Sequence, residues 1–293
     1  MSGGRRTLRR TAPRVARSLL NLILVVLLGG FAAAALVRYS PGFDVDENDW
    51  NPKLSAETRA ALHVRNERNN RLLPFYARYL YGVTRGEFGE SESFRVPVAE
   101  LLRERLPVSS RLILQGTSAG LLLGAALAWM AVWPRRAALG FFASAVSGLL
   151  LAIPPAVMAL AFFFAEAPLG LAVALALLPR VFGTLRAVLQ ELAASPALLA
   201  ARARGVRPAV LLFRYGIAPA TPQLIALTGV SLVISFGSLI PIEALCDVPG
   251  IGQLAWKAAL SRDLPLLSAL ALLITFTVAA VQTVGELVEG GME

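Results

Sequence analysis

The sequence predicts an all-α integral membrane protein with six transmembrane helices and both termini in the cytoplasm. A helical external loop follows the first span, and a cytoplasmic helix-turn-helix loop separates the fourth from the fifth. Three observations carry this reading. The 293 residues are 56% hydrophobic and only 16% charged, against about 25% charged in soluble domains. The apolar residues gather in several runs of roughly 20, the length that crosses a hydrocarbon core as a helix. The basic residues behind the net charge of +9 flank those runs, which is the positive-inside pattern and argues against a nucleic-acid partner. A single cysteine, Cys246, excludes an internal disulfide, and a single histidine, His63, excludes most histidine-based metal or catalytic sites.

Residues 1–17 carry Arg5, Arg6, Arg9, Arg10, Arg14 and Arg17 and no acid, as a cytoplasmic tail does. Residues 18–37 form the first span. A cleavable signal peptide is the rival reading, because a basic start, an apolar core and the alanines at 32–35 suit one. Residues 38–107 form the external region, with eleven Lys and Arg balancing eleven Asp and Glu. Ser55 caps a predicted helix over 55–67, which contains His63, read as a solvated helix residue. Residues 72–83, LLPFYARYLYGV, are aromatic and amphipathic and suit the membrane interface.

Residues 108–288 form the core, with five further spans. The second runs over about Ser109–Val132, and Gly116, Gly120 and Gly124 on one face allow close helix packing. Gly116–Gly120 also spells G-x-S-x-G, but a nucleophile elbow needs a strand-to-helix turn, a histidine and an acid. Ser118 lies instead within an apolar helix. Trp133–Arg136 forms a short turn, and the third span, about Leu139–Phe164, is kinked at Pro154-Pro155, either as a bend beside a pore or for packing alone. The fourth starts near Leu169, leaves the bilayer around Arg186 and carries Glu191 into a loop over 190–216.

In that loop Ser195 caps a short helix that begins with Pro196 and ends at Gly205. A second short helix is expected from Pro208 to near Gly216. Two short helices joined by a glycine turn with arginines around it make a docking knob, or else a solvated basic face. The fifth span, roughly Gln223–Ile242, places Thr228, Ser231, Ser235 and Ser238 on one face. Such a stripe is either a packing seam or a polar wall on a translocation path. Glu243 to Leu254 contains Pro249, Gly250 and Gly252 and reads as a turn. The last span covers about Leu266–Val288, and residues 289–293 form a short tail.

A phosphate-binding loop needs Gly-Lys-Ser/Thr, and neither lysine, Lys53 nor Lys257, follows glycine. No Cys/His cluster suggests a metal, and no cofactor is expected on this chain.

Arg202-Ala203-Arg204-Gly205, preceded by Ala201, resembles the Thr-Ala-Arg-Ala-Lys-Gly core of the "EAA" loop in ABC importer permeases, and Arg186 and Glu191 fall where the dipeptide/oligopeptide/nickel branch has Arg and Glu. GEFGES at 86–91, PVAELLRERLP at 97–107, Glu243 with Pro249-Gly250-Ile251-Gly252 and Arg262-Asp263-Leu264-Pro265 follow in that branch's order. The resemblance covers about Leu54–Val288. Pro196-Ala197 stands where the family has Asp-Tyr, and Ala200 replaces Thr.

The resemblance implies a multi-pass permease of the cytoplasmic (inner) membrane, not itself an enzyme. It further implies a second permease subunit, often a non-identical homologue, two ABC ATPase subunits that dock the 190–216 loop, and an extracytoplasmic solute-binding protein delivering peptides or similar small polar solutes. A gradient-driven carrier or a non-transporting assembly subunit are the rival readings. A membrane serine hydrolase lacks its constellation.

Overall fold

Apart from one isolated antiparallel bridge between Glu90 and Pro97, regular structure among the described residues is helical. The structure, a computed structural model, describes residues 4–39, 72–132, 137–207 and 210–292. The expected helix over 55–67, with His63, and the Trp133–Arg136 turn lie outside the described residues.

Basic tail and first span form one helix, α1 (Gly4–Arg38). The aromatic segment is α2 (Leu72–Val83). Next comes α3 (Val98–Val132), which starts eleven residues before the expected Ser109 and contains Pro107. A proline removes one hydrogen bond and bends a helix without always ending it, so Pro107 did not mark the boundary.

Pro154-Pro155 separates α4 (Ala137–Ala152) from α5 (Pro155–Phe164). The expected single kinked span is instead a pair bent by 96°. Pro155 takes the first helical position and forces Pro154 out of the helical region, to φ −59° and ψ 143°. The bend is therefore a helix end followed by a helix start.

The remaining elements are α6 (Gly170–Ala194), α7 (Pro196–Ala203), a π-helical segment at Leu211–Ile217, α8 (Ala218–Leu245), α9 (Ile251–Leu260) and α10 (Leu264–Met292). The expected stop near Gly216 is absent, because the π-helical segment runs straight into α8. Pro219 and Pro222 lack the N–H groups that α-helical pairing needs just there, and a wider register absorbs the mismatch. Part of the segment read as a turn after Glu243 is the short helix α9.

Among the described residues five helices are long and apolar enough to cross a membrane: α1 from Ala16, α3, α6, α8, and α10 as far as Leu287. The bent pair, counted as one span, makes six.

Close packing runs through glycine. A Cβ at Gly116 would lie 2.4 Å from Val173 Cβ, and one at Gly124 would lie 2.5 Å from Val181 Cγ1. At Gly120 it would meet the Ala174 carbonyl and Leu177 Cβ at 3.0 Å. The three glycines therefore let α3 lie against α6. Further along, α1 lies along α10, with Gly29 against Thr275 and Gly30 against Leu272 and Tyr76. The Tyr76 hydroxyl donates to the Leu27 carbonyl at 2.7 Å and fastens α2 to α1. One buried cluster joins α1, α2, the start of α3, α9 and α10; a second joins α5, α6 and α8.

Gly124→Ala is expected to destabilise the protein in detergent by roughly 1–3 kcal/mol, the usual cost of an overpacked contact. Gly183, on α6, has open space around its Cβ position, so Gly183→Ala is expected to be neutral or stabilising by up to about 1 kcal/mol. Thermal unfolding followed by tryptophan fluorescence compares the two.

Candidate functional site

Two groups of residues stand at opposite ends of α8. Its 28 residues put them about 40 Å apart at 1.5 Å per residue.

At the C-terminal end of α8, Glu243 is completely buried. Its carboxylate accepts from Ser109 Oγ at 2.7 Å and from the Gly252 N–H at 2.6 Å, and the Gln253 amide is a further backbone partner. Ser109 Oγ also accepts from the Ile251 N–H at 2.7 Å. The first turn of a helix leaves its amides without partners inside the helix. Here two side chains from other helices, Ser109 on α3 and Glu243 on α8, satisfy the first turn of α9. A negative charge at that position also suits the helix dipole. The glycines before and within the turn are required by this approach: a Cβ at Gly250 would fall 2.2 Å from a Glu243 carboxylate oxygen, and one at Gly252 would fall 2.8 Å from Ile240 Cα. Pro249, next to them, is exposed.

A second buried carboxylate repeats the device one helix later. Asp263, 1% exposed, caps α10 by accepting from the Leu266 N–H at 3.1 Å. Its other oxygen accepts from Ser91 Oγ and from the Ser93 N–H at 3.0 Å. Ser93 Oγ donates to Ser261 Oγ at 2.7 Å. The 84–97 loop is thereby pinned to the start of the last span. Asp263 stands directly before a leucine-proline helix start, which is a capping signal readable in the sequence. The ties that Ser109, Ser91 and Ser93 make to Glu243, Ile251 and Asp263 had no signal in the sequence, since those partners lie more than 130 residues away.

At the other end lies the arginine-glycine knob. Ser195 Oγ accepts from the Leu198 N–H at 3.3 Å, and Pro196 begins α7. Gly205 has φ +70°, and the Val206 and Gly205 amides donate to the Ala201 and Arg202 carbonyls at 3.2 and 3.0 Å. This is a Schellman closure, in which the left-handed residue is normally glycine. Ala201 and Leu198 face inward, whereas Arg202, Ala203, Arg204 and Leu199 face out. Phe213 is 63% exposed on the neighbouring π-helical segment. Glu191 is exposed near the end of α6. Arg186 turns elsewhere: its guanidinium donates to Ser144 Oγ on α4 and lies over the Phe182 ring, 5.8 Å from the centroid.

The hydroxyl stripe on α8 divides. Ser231, Ser235 and Ser238 are buried within the chain. Ser235 Oγ pairs with Thr117 Oγ1 on α3 at 2.7 Å, and Ser238 Oγ donates to the Ser235 carbonyl at 3.0 Å. Ser231 Oγ is buried with no hydrogen-bond partner. Thr228 is exposed and donates back to the Leu224 carbonyl at 2.8 Å. Of the two readings, the three serines take the packing geometry. Pro154 is exposed and Pro155 half-buried at the 96° bend. Ser118 donates to the carbonyls of Leu114 and Gln115 in the middle of α3, which is not an elbow. Among the described residues no group of His, Cys, Asp and Glu could hold a metal.

The family model described as "Binding-protein-dependent transport system inner membrane component" matches residues 120–290, from Gly120 of α3 through the knob and both carboxylates. The chain belongs to this family. It is a multi-pass membrane protein of the permease type, and the family is not catalytic. The oligopeptide transport system permease protein OppB of Salmonella typhimurium is 28% identical over 268 residues, covering 82% of this chain and 84% of the relative. A probable peptide ABC transporter permease protein of Sinorhizobium fredii is 24% identical over 289 residues, with 89% and 91% covered. The nickel import system permease protein NikB of Staphylococcus aureus is 24% identical over 285 residues, with 92% and 87% covered.

In this permease Glu243→Ala is expected to lower stability in detergent by roughly 3–5 kcal/mol, or to prevent accumulation, because several buried donors lose their acceptor at about 1–3 kcal/mol each. Gly250→Ala is expected to act in the same direction, as its methyl group would collide with that carboxylate. Asp247→Asn, which tolerates the φ of +50° at this exposed position and still offers Gln253 an acceptor, is expected to change stability by less than about 0.5 kcal/mol. Thermal unfolding of the three purified variants measures these differences.

Proposed function

We propose that this chain is one membrane subunit of an ATP-driven importer, moving peptides or similar small polar solutes handed over by a solute-binding protein. The observation that carries the proposal is the exposed α7 knob, closed by Gly205 at φ +70° and displaying Arg202 and Arg204 beside Leu199. A rigid, basic and partly apolar projection is what a separate ATPase subunit can grip. The peptide-class cargo rests on the names of the relatives.

In this reading ATP binding by a pair of partner ATPases draws the knobs of two permease subunits together. The α8 helix carries that displacement along its length to the carboxylate-capped end. Nucleotide and solute must each bind the two access states with different affinity for the cycle to be driven. The knob and both termini then lie on the cytoplasmic side of the inner membrane, and the bent α4–α5 pair acts as one crossing. The buried serines of α8 brace it against α3, and exposed Thr228 is the member of the stripe left to face a passage. A gradient-driven carrier is the weaker reading: the described buried carboxylates, Glu243 and Asp263, cap helix starts at the ends of spans.

Gly205→Val separates coupling from folding. Its Cβ meets nothing within 4 Å, so the change acts through φ alone. Co-purified with partner permease and ATPase, the valine variant is expected to retain the partner permease and lose most of the ATPase, while Gly205→Asn, which tolerates a left-handed φ, keeps both. An intact chain that retains no ATPase, or a valine variant that retains it fully, contradicts the proposal.

Sidedness gives a second test. In a Cys246→Ala background, Lys257→Cys is expected to react with an impermeant maleimide in intact spheroplasts, and Arg204→Cys only after permeabilisation. The reverse pattern contradicts the assigned orientation.

A further inference from the structure

A groove of about 380 Å³ opens where α1, α9 and α10 meet. Its walls are apolar, with Ala33 and Leu36 from α1, Ala259 from α9, and Leu270 and Ala271 from α10. Arg262 supplies the charged side chain of the lining. The α1 and α10 walls lie inside candidate membrane spans, Ala16–Arg38 and Leu264–Leu287, and Arg262 stands two residues outside the second. The groove is therefore at hydrocarbon depth, with a guanidinium at its boundary.

We propose that this groove holds one acyl chain of an anionic phospholipid, with the lipid phosphate on Arg262. An acyl chain is thin, flexible and abundant at that depth. The guanidinium presents a planar fork that matches phosphate oxygens two at a time. A guanidinium at the head-group boundary attracts an anionic head group by charge and by paired hydrogen bonds. Arg38, which ends α1 directly after the groove-lining Val37, adds positive charge at the same helix end. The site depends on the chain spanning a membrane and not on what it transports.

The test uses the full chain purified in detergent, stripped of lipid and titrated with dioleoyl phosphatidylglycerol or dioleoyl phosphatidylcholine under native mass spectrometry. Wild type is expected to bind the first lipid about fivefold more tightly, the preference that one arginine near a membrane surface supplies. Arg262→Gln is expected to abolish the preference, and Ala271→Phe, which fills the groove, to weaken binding of both lipids. Arg103→Gln, at an exposed site on α3, should keep the wild-type preference. Equal binding of the two lipids by wild type overturns the proposal, as does an undiminished preference in both groove variants. So does efficient cross-linking of Ala271→Cys to residues 40–71 or to a second permease chain, which assigns the groove to protein.

Discussion

Two buried carboxylates at successive helix starts are the constraint on which one end of this molecule depends. A helix that begins inside a protein exposes several amides with no partner in the helix, and burial makes that costly. Glu243 and Ser109 solve the problem for α9, and Asp263 solves it for α10. Each solution reaches across the chain. Glu243 ties α8 to α3 and α9, and Asp263 ties α10 to the 84–97 loop. Four helices and one loop are thus registered against each other by two acids. The small residues nearby follow from the same constraint, since Gly250 and Gly252 are the residues that let backbone approach the carboxylate.

The other end is organised by conformation more than by burial. The knob is short, and most of its side chains face out. What holds it is local chemistry: a serine cap, a proline at the first helical position, and a glycine with positive φ that returns two amides to the last turn. Local rules suffice there, which is why the knob could be read residue by residue. On the proposed function this contrast is useful. A self-contained projection can be pushed by a partner without unfolding, while the carboxylate-capped end resists deformation. The helix α8 runs between them.

The N-terminal helix has a place in the fold that hydropathy could not reveal. Gly29 and Gly30 bring α1 against Thr275 and Leu272 of α10, and Tyr76 of α2 donates to a carbonyl of α1. A segment read as either a permanent span or a removable leader therefore helps build the core that contains α2, α9 and α10. Its Ala33, Leu36 and Val37 also form one wall of the groove beside Arg262.

Much was legible before any coordinates. The helical class, the apolar stretches, the glycine face of α3, and the cap and turn of α7 follow from rules that act within a few residues or one helical period. The motifs shared with the permease family were likewise visible as strings of residues. Tertiary structure decided the rest. It decided that Pro107 bends α3 without ending it, whereas Pro154-Pro155 separates two helices at 96°. It turned Ser231, Ser235 and Ser238 of α8 inward, with Ser235 on Thr117, and sent Arg186 to α4. Above all it gave Glu243 and Asp263 their partners. Caps, turns and spans are determined over short distances along the chain. The partner of a buried carboxylate is determined by which distant helix is packed beside it, and that is a property of the fold.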